Sequence, residues 1–140
     1  MKRALAILAL LFVSIPAWVL AEPPPPTLPL EQIVQVTHEA KHDAQGSFIL
    51  LRLAPAKGYA IKPETPLEFL PSPSGSVKPA KEKYGWADVV DPKATIKELK
   101  LRYTLADSTP NQMFLGRLKV AACSATMCHI ITRELRMAVK

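Results

Sequence analysis

From Glu31 onward the chain alternates short apolar runs with turn-forming residues, the pattern of antiparallel sheets rather than of helices. Ile33, Val34 and Val36 mark a first strand. Residues 38–46 are polar and end in glycine, which predicts a hairpin turn into residues 47–54, Ser-Phe-Ile-Leu-Leu-Arg-Leu-Ala. Apart from Arg52 that run is apolar on both faces, as a central strand covered on two sides would be. Residues 56–63 read as a turn and a short extended piece, and 66–70 as another strand, closed by the breakers of 71–75. Residues 78–92 have little periodicity and carry Tyr84, Gly85 and Trp86, so they read as a long loop or edge excursion, a place where function often sits. In 96–105 apolar and polar residues alternate through Leu99, Leu101, Tyr103 and Leu105, the mark of a half-buried strand. Residues 113–122 supply the next strand, with Phe114, Leu118 and Val120. Ile131, Leu135, Met137 and Val139 share one parity along the last, and Arg133 interrupts that face.

Seven or eight short strands with no convincing helix predict an all-β fold, an immunoglobulin-like antiparallel β-sandwich. Its two cysteines then lie across the final hairpin. The inter-sheet disulfide of immunoglobulin domains joins residues far apart in sequence, so this pair is a different arrangement.

Ahead of this pattern stand Lys2-Arg3, an apolar stretch from Ala4 to about Leu20, and Val19-Leu20-Ala21, the three parts of a cleavable secretory signal peptide over residues 1–21. The rival is a retained membrane anchor, since the apolar run approaches the roughly 20 residues that span a bilayer. Pro16 and the small Ala21 favour cleavage. No cysteine stands at the boundary to take the lipid of a bacterial lipoprotein. Residues 22–30, Glu-Pro-Pro-Pro-Pro-Thr-Leu-Pro-Leu, are poor in backbone donors and favour extended polyproline geometry, so they read as a stiff leader. Residues 31–140 then form one exported domain, periplasmic or otherwise outside the cytoplasm, with no transmembrane segment after cleavage and a monomeric state expected. Cleavage after Ala21 leaves 119 of the 140 residues, enough to bury a core without several disulfides.

The formal charge of +6 falls to +4 once Lys2 and Arg3 are removed, with 16 basic residues against 12 acidic. The basic residues are scattered and no aromatics are interleaved with them, which argues against a nucleic-acid partner. Lys78, Lys81 and Lys83 form the densest group, one that would suit an acidic partner or a membrane face only weakly. There is no glycine-rich phosphate loop, no nucleophile elbow and no histidine–carboxylate set, so phosphate and hydrolytic chemistry find no support and no cofactor is expected.

Chemistry is concentrated in Cys123-Ser-Ala-Thr-Met-Cys128. Two thiols separated by four residues can close into a disulfide in an oxidising compartment. A loop this short gains only about 2 kcal/mol from closure, so a purely structural staple is an inefficient stabiliser and reversible redox use is favoured. Such use requires one sulfur to be reachable by an incoming thiolate. His129 would lower a thiol pKa only if its ring were charged and near the sulfur, and on a strand its side chain points away from that of Cys128. It reads as an ordinary surface residue.

Residues 116–128, Gly-Arg-Leu-Lys-Val-Ala-Ala-Cys-Ser-Ala-Thr-Met-Cys, with Thr132-Arg-Glu-Leu after them, Lys57-Gly-Tyr-Ala-Ile61 with Pro66 further on, and Glu82-Lys-Tyr-Gly85 before a strand, carry a resemblance. The chain resembles the N-terminal periplasmic domain of the transmembrane thiol-disulfide interchange reductases (DsbD), and small free-standing exported proteins like that domain. The resemblance implies an immunoglobulin-like sandwich whose cysteine pair passes electrons between a membrane reductase and periplasmic thioredoxin-fold proteins. It implies that Cys128 forms the mixed disulfides and that Cys123 resolves them. It also implies a shielding cap loop with an aromatic beside Tyr-Gly. Lys83 occupies that aromatic's place here, so Tyr84 or Trp86 would have to serve. Where many members carry a proline pair after the second cysteine, this chain has His129-Ile130-Ile131.

Two other functions compete with exchange. One is a non-catalytic binding or assembly module whose disulfide is structural. The other is metal handling, with Cys123, Cys128, His129 and Met127 as soft ligands and His38 and His42 four apart. The two histidines would need a helix to share a face, while their surroundings read as a hairpin turn.

Overall fold

A computed structural model describes residues 29–73 and 75–139; the expected signal peptide and most of the proline-rich leader lie outside the described residues. A one-turn helix α1 (Leu30–Ile33) precedes eight strands. These are β1 (Val34–Asp43), β2 (Gly46–Pro55), β3 (Leu67–Ser72), β4 (Val77–Pro79), β5 (Tyr84–Gly85), β6 (Lys97–Leu105), β7 (Met113–Cys123) and β8 (Cys128–Ala138). They form two antiparallel sheets of four, in the orders β1-β2-β6-β4 and β5-β3-β7-β8. The protein is thus an all-β sandwich of the immunoglobulin-like kind, with β4 preceding β5 in the chain.

The alternation read from sequence becomes the inner faces of the two sheets. Ile49, Leu51 and Leu53 of β2 and Leu99, Leu101 and Tyr103 of β6 meet Leu67 and Phe69 of β3 and Phe114, Leu118 and Val120 of β7. An aromatic chain runs through this core, from Tyr84 to Phe69 to Phe114 to Tyr103, with ring centroids 6.2, 5.8 and 5.7 Å apart. The outer face of β2 is covered without a third layer. Phe48 and Leu50 are buried there, and the Lys100 ammonium and Arg102 guanidinium sit 5.1 and 5.3 Å from the Phe48 ring. The cationic groups of these two β6 side chains lie over the aromatic ring and help to cover it.

Two expectations are corrected. Residues 38–46 are not a turn: β1 pairs with β2 as far as Asp43 opposite Gly46, and only Ala44 and Gln45 connect them. The polarity of this stretch reflects an edge strand exposed to solvent, where hydrophilic residues block unwanted pairing. Ile33 belongs to α1, not to the first strand, yet it is fully buried. Residues 78–92 do run along the sheet edges, and they hold most of β4, all of β5 and a 3-10 turn at Trp86–Asp88. Strands of two or three residues are too short to display a period.

Candidate disulfide exchange site

The site is built at the tip of the β7–β8 hairpin. The tip folds around Ser124, whose N–H donates to the Met127 carbonyl at 2.7 Å. The Ser124 hydroxyl oxygen accepts the Met127 N–H at 3.2 Å and the Thr126 N–H at 3.4 Å. This turn sets Cys123 and Cys128 directly opposite each other, Cα atoms 3.9 Å apart, and the two sulfurs are bonded.

The two halves of the disulfide differ in exposure. Cys123 is 4% exposed. Its N–H and C=O exchange 2.8 Å hydrogen bonds with the C=O and N–H of Ala60, which pairs with it like a further strand beyond the start of β3. The 57–61 segment can lie so close because Gly58 takes φ +86, a conformation that side chains disfavour, and Tyr59 N–H closes the turn on Ala56. Cys128 is exposed.

Parity sorts the neighbours of the pair. Cys123 and Cys128 project from the outer face of their sheet, opposite to Ala122, Val120 and Ile131 in the core. Ile130 and Met127, 55% and 58% exposed, surround the open half with apolar surface. His129 projects from the other face, half-buried, its ring 6.1 Å from that of Tyr59. It is a partly covered surface residue packed beside Tyr59, and strand geometry points its imidazole away from the disulfide.

Neither expected shielding aromatic is brought to the pair. Tyr84 is buried in the core. Its hydroxyl donates to the Arg102 carbonyl at 2.6 Å and accepts the Ala80 N–H at 3.1 Å, while burial raises the phenol pKa above its ordinary value. The register Tyr84–Phe69–Leu118 leaves it five residues short of Cys123 along the strands, about 16 Å in that direction alone. Trp86 lies toward the disulfide end of the sandwich, but its indole N–H donates to the Thr65 carbonyl at 2.8 Å, and residues 60–65 run between it and Cys123. Ala60, bonded to the Cys123 backbone, and Met127, which precedes Cys128, adjoin the pair instead.

Sequence reasoning missed one buried cation. Lys97 is 4% exposed and shares the inward parity of Leu99 and Leu101. Its ammonium donates to the Pro92 carbonyl at 2.7 Å and to the Ala94 carbonyl, and lies 6.0 Å from the Trp86 ring. It fastens the loop before β6, and the unbroken parity from 97 to 103 was the available signal.

The remaining candidates are dispersed. His38 and His42 do share a face, because β1 is a strand, but four residues of strand separate them by about 13 Å. His42 Nδ1 instead shares a 3.1 Å hydrogen bond with the Ser47 hydroxyl. Among the described residues no three His, Cys, Asp or Glu side chains cluster as a metal site. Of the lysine group, Lys81 is paired with Asp88 and Lys83 with Glu68. No helix among the described residues is long and apolar enough to cross a membrane. Comparison with family models, with curated proteins and with solved structures gave no match to this chain.

Proposed function

We propose that the chain is an exported thiol-disulfide exchange protein that passes electron pairs through Cys123 and Cys128, with a membrane thiol-disulfide reductase and thioredoxin-fold proteins as its partners. The observation that carries this reading is the asymmetry of the pair: an exposed Cys128 joined to a Cys123 that is 4% exposed. Exchange needs one sulfur that an outside thiolate can reach and one that stays within the protein as leaving group and resolving thiol. Cys128 takes the first role and Cys123 the second, the assignment the resemblance implies.

The competing reading, a binding module with a structural staple, is weaker on the same geometry. Residues 123 and 128 are already aligned by the ladder of β7 and β8 and by the Ser124 hydrogen bonds. A covalent bond there constrains an already short loop and contributes only about 2 kcal/mol.

A Cys123→Ser variant tests the proposal. With the resolving thiol gone, Cys128 should accumulate mixed disulfides with exported thioredoxin-fold proteins, and Cys128→Ser should accumulate none. Absence of adducts from both variants, or a reduction potential below about −300 mV for the wild-type pair, would remove the carrier role and leave the staple.

A further inference from the structure

The open side of β8 ends at Cys128, and it explains how a protein partner would approach. This inference rests on the exchange reading above. Among the described residues β8 is the last strand of its sheet, with no strand paired along its far side. Backbone parity decides which of its groups face that side. Cys123 gives its N–H and C=O to Ala60, on the side away from β8, and Ala121 likewise donates to Pro66. Cys123 and Cys128 are therefore a pair without mutual backbone hydrogen bonds, and Cys128 must direct its own N–H and C=O away from β7. Ile130, two residues on, does the same.

The rest of this edge is guarded. Arg133 holds the Leu30 and Glu31 carbonyls, bringing α1 against the middle of β8. Glu134 and Arg136 place charges along its far half, a common defence of edge strands. From 128 to 130 the outward side chains are only a sulfur and an exposed isoleucine.

Reaction geometry selects the same side. A thiolate attacks a disulfide in line, opposite the leaving sulfur. With Cys123 leaving toward β7, the approach to Cys128 comes from the side away from β7, over the open edge.

We propose that the exchange partner adds an extended, cysteine-bearing segment to the edge of β8 at Cys128 and Ile130, so that strand pairing delivers its thiolate to the Cys128 sulfur. Residues directly opposite in paired strands have Cβ atoms about 4.5–5.5 Å apart, within about an ångström of the spacing in a disulfide. Apolar residues flanking the partner's cysteine pack on Ile130 and Met127. The partner thiolate forms a bond to the Cys128 sulfur as the Cys123–Cys128 bond breaks. The electron pair leaves on Cys123, which takes a proton from solvent. A second partner thiolate then attacks the partner's own sulfur in the mixed disulfide, Cys128 leaves as a thiolate, and two electrons have passed from a partner dithiol to this chain.

The test uses the purified oxidised protein and three reductants. The first is a short peptide of alternating valine and threonine with a central cysteine, and the second is its twin, N-methylated two residues before and after that cysteine. Dithiothreitol, which needs no strand pairing, is the third. The unmodified peptide should form the mixed disulfide about tenfold faster than its twin, the effect of about one to two backbone hydrogen bonds on an encounter. Ile130→Pro removes an N–H that faces the edge and not β7, so it should bring the rates of the two peptides together. Equal rates for the two peptides, with dithiothreitol still reducing the pair, overturn strand addition and leave the exchange reading standing. A pair that dithiothreitol cannot reduce in the folded protein overturns both. The comparison of peptides on the wild type does not depend on the proline variant folding.

Discussion

Both long hairpins pair an edge strand with an interior one, β1 with β2 and β8 with β7, yet their tips are held by different forces. At the β1–β2 tip Asp43 reaches to β6, where its carboxylate accepts two hydrogen bonds from the Arg102 guanidinium at 3.0 and 2.8 Å. At the β7–β8 tip the turn is tied by its own backbone and the Ser124 hydroxyl, with the disulfide added behind it. A charged clamp responds to pH and not to redox state; a disulfide does the reverse. The second tip thus has hydrogen bonds across its turn in addition to its covalent bond.

The sharpest contrast between the hairpins lies in their glycines. A Cβ on Gly116 of β7 would lie 2.2 Å from Phe69 Cζ and 2.8 Å from the Leu70 carbonyl oxygen, whereas one on Gly46 would meet nothing within 4 Å. Gly116→Ala should therefore cost about 3 kcal/mol through overpacking against β3. Gly46→Ala is opposed only by φ +119 and should cost about 1–2 kcal/mol. Urea unfolding of both variants measures the difference, and equal costs would contradict the steric origin.

Next in size is removal of the disulfide. A Cys123→Ser, Cys128→Ser double variant should lose about 2 kcal/mol in urea unfolding and retain the sheet signal in far-ultraviolet circular dichroism. A variant that cannot fold at ambient temperature would mean that the bond is needed to hold the hairpin and cannot cycle.

The smallest effect separates the clamps by pH. The Arg102 hydrogen bonds lower the Asp43 pKa from 3.8 to about 2 in the folded protein. A depressed folded pKa contributes stability that is fully present above 3.8 and lost as the pH falls through about 2. Asp43→Asn should thus be less stable than the wild type at neutral pH, with the gap closing between these two values. Thermal unfolding across that range checks it, and a gap that stays constant would assign the loss to something other than the charge. The double serine variant should show no such closing gap.

Much of this architecture was legible along the chain, because pleating writes burial into every second residue. Leu99, Leu101 and Tyr103, or Ile131 and Met137, declare their inner faces without knowledge of the partner sheet. Where elements were short or polar the reading failed. Tyr84 and Gly85 form a two-residue strand with no period to find, and the polar half of β1 resembles a turn because an edge strand and a turn face the same water. The site was partly legible for the same reason. Proximity of the cysteines followed from four intervening residues, while the shielding aromatics, inferred by resemblance, are not the residues that adjoin the pair.

What the sequence alone determined was local: strand periodicity, the opposite facing of Cys128 and His129, and two sulfurs near enough to bond. Which sulfur is covered was decided only by the tertiary structure. Ala60 comes from far up the chain to occupy the side of β7 next to Cys123, whereas no described strand pairs with the side of Cys128 that faces away from β7. Side-chain direction repeats with the backbone over a few residues, but exposure depends on whatever distant segment fills the adjacent hydrogen-bonding position, and a linear pattern does not encode that neighbour.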